Sequence, residues 1–316
     1  MGEAQPEPPY LLRYRDRVAG RQPDQTRLPF SLRSSTAPDG AAGPDTARAL
    51  RQATSDPEMP VPSNLVDLHL VRHGETQSYQ ADAGLTPRGT WQCRRFGHTL
   101  SAEVRDGERV HLLCAPTARA TRTAEQVRLG LVEGLAGRGR EVTVVGPEPA
   151  VEFRNFQLWT PAGLMDPTSA AGAYRWGTTG LEPGRPAWQL ELSRFWRLQA
   201  GGGDPIEYWM TSPLLTFEPP VAVVRRFWAG AVRLVSGGDG RTRFVCCTHS
   251  GPMRAFATWA LGHDAGEPLN TEEVRVRFRP DLSAALVTYR GRAQEIGAAA
   301  VPDGTAWWDP AAGGPT

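Results

Sequence analysis

Lysine is missing altogether: the 316-residue sequence places all 35 of its basic charges on arginine. Codon usage is the plain explanation of such a bias, though arginine also supplies planar, bidentate contacts to anions. A surplus of one charge is missing too. Against 34 acidic residues the formal charge is only +1, which predicts neither a nucleic-acid partner nor a membrane-surface partner. Cysteine is sparse. Cys93, Cys114, Cys246 and Cys247 show no C-x-x-C spacing and no even-numbered secreted framework, so reduced thiols in a cytoplasmic protein are expected. No run approaches the ~18 apolar residues of a membrane span, and the N-terminus lacks an apolar signal core. A soluble intracellular chain is therefore expected.

What is present is enough for a packed core: 40% hydrophobic residues, with ten Trp and ten Phe. Residues 1–62 hold ten of the 28 prolines and no sustained hydrophobic period, so they read as a flexible extension. Residues 63–290 read as one catalytic domain, and residues 291–316, rich in Ala, Gly and Pro, as an irregular tail. Within the domain, strands at Val66 to Arg72, Val110 to Cys114, Glu141 to Val145, Phe244 to Thr248 and Ala284 to Tyr289 alternate with helices. The helices begin near Thr86, Thr117, Val221 and Pro252, and Thr86 followed by Pro87 suits a helix start. This order predicts an α/β fold, a three-layer αβα sandwich around a mainly parallel sheet, with ligands bound beyond strand C-termini. Residues 153–220 exceed a simple crossover and carry Trp159, Trp176, Trp188, Trp196 and Trp209. They read either as a lid with its own small core or as a cap shaping a pocket for an apolar or planar leaving group.

Chemistry-bearing residues gather at the strand ends. Arg72-His73-Gly74-Glu75-Thr76 closes the first strand, placing an imidazole and a guanidinium fork side by side with a glycine that admits close approach. Thr248-His249-Ser250-Gly251 ends a later strand in the same manner. Ala115-Pro116-Thr117-Ala118-Arg119-Ala120 turns a strand into a helix, where Arg119 and the helix dipole both favour an anion. Singly, each residue has a plain reading as a core histidine or a solvated arginine. A metal site lacks a third His or Cys at familiar spacing.

Together these segments resemble the histidine phosphatase superfamily, in its phosphoglycerate mutase-like branch. The R-H-G-E-T segment matches at Arg72 to Thr76, and L-T-x-x-G at Leu85, Thr86 and Gly89. A segment similar to S-P-x-x-R-A-x-Q-T-A matches at Pro116, Arg119, Ala120, Thr123 and Ala124, and H-x-G at His249 and Gly251. The resemblance implies that His73 is the nucleophile and that Arg72, Arg119 and His249 hold the phosphoryl oxygens. Glu152, in Glu152-Phe153-Arg154-Asn155-Phe156-Gln157, is the best match to the family's proton donor. Cys114-Ala115 and Arg122 depart from the pattern without removing a catalytic group. A metal-independent phosphatase acting on a small phosphorylated substrate, with no cofactor and no metal, is expected. The alternatives are mutase-like phosphoryl transfer and a non-catalytic phospholigand-binding protein. Mutases carry a longer segment between the first two motifs than Gln77 to Gly84. Ser78 and Asp82, inside that segment, are weaker candidates for substrate contact.

Overall fold

Short runs of branched apolar residues form the strands, and runs with helical spacing cross between them. The computed structural model describes residues 66–77, 84–174, 184–238 and 241–297. In chain order the strands are β1 (Val66–Arg72), β2 (Arg109–Cys114), β3 (Thr143–Pro149), β4 (Leu158–Thr160), β5 (Gly163–Met165), β6 (Thr242–Thr248), β7 (Glu273–Phe278), β8 (Ala284–Tyr289) and β9 (Arg292–Gly297). The helices are α1 (Pro87–Leu100), α2 (Ala118–Ala136), α3 (Pro167–Ala173), α4 (Ala187–Ala200), α5 (Pro205–Thr211), α6 (Pro220–Ser236) and α7 (Ser250–Leu261).

Seven strands form one sheet in the order β3-β2-β6-β1-β7-β8-β9. The first four run parallel, as the alternating pattern predicts. β7, β8 and β9 then extend the β1 edge antiparallel. In β7, Val274, Val276 and Phe278 are buried while the intervening Glu273, Arg275 and Arg277 are half-buried, the alternation of a sheet covered by apolar packing on one face. β9 corrects the first part of the tail expected to be irregular from residue 291: backbone pairing to β8 orders Arg292–Gly297 although five of its six residues are exposed, and 298–316 lie outside the described residues. No apolar period signals such an edge strand. The expectations for 1–62, and for Ser78, Asp82 and Trp176, lie outside the described residues.

Helices cover both faces of this sheet. α1 and α2 lie on one face over Val71, Cys114, Val245 and Cys247, with Cys93, Val127 and Leu131 completing that core. α6 and α7 form the opposite layer, where Trp228 meets Trp259 at 5.7 Å and Phe278 at 5.5 Å between ring centroids. Thr86 caps α1 by accepting from Gly89 N at 2.9 Å, and Thr117 caps α2 by accepting from Ala120 N at 3.4 Å.

Gln157–Pro219 clusters as a separate compact unit. Its core is its own: Leu158, Leu192, Phe195, Trp209 and Phe217 are buried, and the Trp209 indole donates to Glu218 O at 2.8 Å. The Glu191 carboxylate accepts from Leu215 N at 2.8 Å and Thr216 N at 2.9 Å, fixing the segment after α5. Trp188 and Trp209 thus act as packing residues in this unit, whereas Trp159 is half exposed.

Candidate active site

β1 and β6 are parallel neighbours with Arg72 opposite Thr248. Parallel pairing brings their C-terminal ends side by side, and the residues that follow, His73 and His249, meet with ring centroids 5.4 Å apart. Both imidazoles are almost wholly buried. His73 N donates to Thr248 O at 2.9 Å, locking the two strand ends together.

The two rings hold opposite tautomers. Nδ1–H of His73 donates to Gly74 O at 2.9 Å, which leaves the lone pair on Nε2. Nε of Arg119 donates to Nδ1 of His249 at 3.3 Å, so the His249 proton sits on Nε2, 3.4 Å from Thr117 Oγ1. Burial pushes His73 well below the ordinary imidazole value, and the guanidiniums of Arg72 and Arg119 push it further. His249 is lowered in the same way, by burial first and then by Arg119, His73, Arg226 and Arg72. The result is a neutral nucleophilic nitrogen and a neutral N–H donor, with two guanidiniums close by. That set can take up a tetrahedral anion and present nitrogen to its centre.

Backbone packing holds the set in place. Gly74 passes so close to α1 that a Cβ there would lie 2.6 Å from Cys93 Sγ and 2.8 Å from Gly89 O. Gly74 N donates to Thr123 Oγ1 at 3.0 Å, and that hydroxyl donates to Arg119 O at 2.8 Å, tying the His73 loop to the helix that carries Arg119. Asn270 Nδ2 donates to His73 O at 2.9 Å from the loop before β7. Arg72 is anchored by the carbonyl of Pro268 and by Glu267 Oε1, 2.9 Å from its NH1. Thr123 lies within a recognised motif, but Asn270 and Glu267 come from a loop with no pattern in the sequence.

The structure thus brings His73, Arg72, Arg119 and His249 together. Glu152 stands in a neighbouring one-turn helix, Val151–Phe153, whose Phe153 O accepts from Thr248 Oγ1 at 2.5 Å. Its Oε1 is engaged by Arg233 at 2.6 Å, while Oε2 is buried with no hydrogen-bond partner among the described residues. Arg226, absent from every sequence pattern above, fixes this turn by donating to the carbonyls of Glu152, Arg154 and Asn155 at 2.7, 2.8 and 3.1 Å. One turn along α6, Gly230 makes room: a Cβ there would lie 2.7 Å from Glu152 Cβ.

Among the described residues no group of three or more His, Cys, Asp or Glu could hold a metal ion, and no helix is long and apolar enough to cross a membrane. None of the curated proteins matches this chain. Solved structures do. Phosphoglycerate mutase from Bacillus anthracis str. Sterne is 14% identical with a TM-score of 0.46, covering 72% of this chain and 93% of its own. Mycobacterial glucosyl-3-phosphoglycerate phosphatase is 17% identical with a TM-score of 0.40, covering 68% of this chain and 91% of its own. The structure described as mycobacterial hydrolase 1 is 18% identical with a TM-score of 0.41, covering 73% and 96%. The family model of the histidine phosphatase superfamily (branch 1) matches residues 68–135, the span from β1 through α2 that carries Arg72, His73 and Arg119.

Proposed function

We propose that this phosphoryl-handling protein is a phosphatase that hydrolyses a phosphomonoester through a phosphohistidine on His73, using charge from arginine rather than from a metal. One observation carries the reading. The His73 Nδ1–H bond to Gly74 O leaves an Nε2 lone pair beside the guanidiniums of Arg72 and Arg119. Nε2 attacks phosphorus as the bond from phosphorus to the leaving oxygen breaks. Arg72, Arg119 and the Nε2–H of His249 stabilise the equatorial oxygens in that transition state. Glu152 supplies a proton to the leaving oxygen. In the second half-reaction water attacks phosphorus, the P–Nε2 bond breaks, and Glu152 takes the proton from water.

Glu152 fits this role through its Oε2, which is buried without a partner among the described residues, and through a turn anchored to Thr248, the neighbour of His249. Mutase-like transfer uses the same first step and differs only in the acceptor. The test is turnover of 4-nitrophenyl phosphate by the full chain in the presence of a chelator, followed as free phosphate. Steady phosphate release that is lost in His73→Ala supports the phosphatase. Activity retained in that variant contradicts it, and label passing to an added alcohol acceptor instead of water favours the mutase.

A further inference from the structure

The loop 262–272, between α7 and β7, is held at many points. The Asp264 carboxylate accepts from Arg254 Nε and NH2 at 2.8 and 2.6 Å and from Gly266 N at 2.8 Å. Arg290, in the β8–β9 turn, donates to Ala265 O at 2.5 Å, to Glu267 O at 2.9 Å and to Glu272 Oε1 at 2.6 Å. Leu269 N donates to Glu272 Oε2 at 2.6 Å. With the backbone fixed in this way, Glu267 has only its side chain to move. That side chain reaches Arg72 NH1, and it is 45% exposed where the arginine side chain is 10% exposed.

The geometry points to Glu267 as an affinity-setting counter-ion. It pairs with Arg72 in the free protein and competes with the incoming phosphoryl group, so that it limits how tightly the site holds a phosphate dianion. This rests on the reading of Arg72 as a phosphoryl ligand. The charge balance supports competition. Arg72 and Arg119 bring two positive charges, and His73 and His249 are neutral by burial and by those same guanidiniums. Arg226, facing His249 from α6, is spread over three backbone carbonyls, and Arg290 is paired with Glu272. Glu267 thus lowers the positive charge that Arg72 presents to a ligand carrying two negative charges above its second ionisation. Being half exposed, the carboxylate has water to swing into when phosphate arrives, and the Pro268 carbonyl still holds Arg72 after it leaves. The opposite role, in which Glu267 aims Arg72 at the ligand, predicts the opposite sign.

Calorimetric titration of inorganic phosphate into the full chain separates these outcomes, with Glu267→Gln and Arg72→Met as variants. Competition predicts that Glu267→Gln binds phosphate about ten-fold more tightly, the scale of one charge-assisted contact. The gain is larger at about pH 8 than at about pH 5.5, because the dianion is lost between them. Arg72→Met binds weakly in either case. Glu267→Gln binding that is unchanged or weaker, with Arg72→Met still impaired, overturns the inference and leaves Arg72 as a ligand. Phosphate binding that ignores Arg72 overturns the inference together with the reading on which it stands.

Discussion

Neighbouring histidines with opposite tautomers give a division of labour at the residue scale, Nε2 of His73 as lone pair and Nε2–H of His249 as donor. Since both are lowered well below the ordinary value of 6.5, neither imidazole is expected to titrate through that pH when its ring protons are followed by NMR in the substrate-free protein. A His73 titration centred at the ordinary value would show that the ring behaves as if solvated. Stability carries the same sign. A histidine depressed on folding binds fewer protons folded than unfolded, so its contribution is complete above about pH 6.5 and is lost as pH falls toward the depressed value. Asp67, Asp264 and Glu273 are lowered from already acidic values, so their losses come at lower pH still. Melting temperature should therefore decline from about pH 6.5 to about pH 5, and decline less steeply in His249→Asn. Equal slopes in the two proteins would rule out His249 as a source of the decline. Glu152 answers to a different measurement. Glu152→Gln should cut turnover of an alkyl phosphate by ~10²–10⁴-fold, while the burst with 4-nitrophenyl phosphate changes little, because nitrophenolate leaves without a proton. An equal loss in both bursts would remove Glu152 from the acid role.

Elements explain how four scattered residues converge. β1, β2 and β6 were legible because each is a short apolar run leading into a segment with chemistry, and parallel pairing does the rest. β7 was missed although its Val-Arg alternation has the period of a strand. β9 offered no signal, since its backbone pairing leaves most of its side chains in water. Asn270 and Glu267 escaped for a related reason: their roles depend on long-range packing of a loop, not on local spacing. The α1–α2 contact depends on missing side chains. Cβ atoms at Gly97 and Gly130 would strike the carbonyls of Val127 and Arg94, so the helices touch backbone to backbone. Alanine raises intrinsic helix stability by ~1 kcal/mol, but overpacking typically costs ~1–3 kcal/mol, so Gly130→Ala should destabilise the fold by a net of up to ~2 kcal/mol. Urea unfolding measures this, and a stabilised variant would mean that the helices part without cost.

On the scale of the whole molecule, the sheet separates chemistry from one of its main anchors. At the strand end opposite His249, buried Arg243 contacts Asp67 Oδ2 at 3.1 Å, Glu108 Oε2 at 3.3 Å and His69 Nε2 at 3.0 Å. Asp67 keeps Arg275 at 2.6 Å and Arg277 at 3.1 Å when Arg243 is removed, so Arg243→Met should lower stability by less than the ~3–5 kcal/mol that follows when a buried charge loses its only partner. Five strand steps, ~17 Å, separate Arg243 from Thr248, so kcat per folded molecule should be unchanged. A large fall in kcat with folding intact would show that the two ends are coupled. The sequence marked both the insert and its tryptophans, but spacing alone did not assign Trp188 and Trp209 to the insert's own core. The most direct test of the account is rapid quenching of the full chain during turnover of a ³²P-labelled phosphomonoester, under neutral conditions that preserve phosphoramidates, followed by mapping of the labelled peptide. The account predicts acid-labile label on His73, absent from His73→Ala. Label on another residue, or phosphate release at the wild-type rate with no labelled protein at any time point, would contradict it.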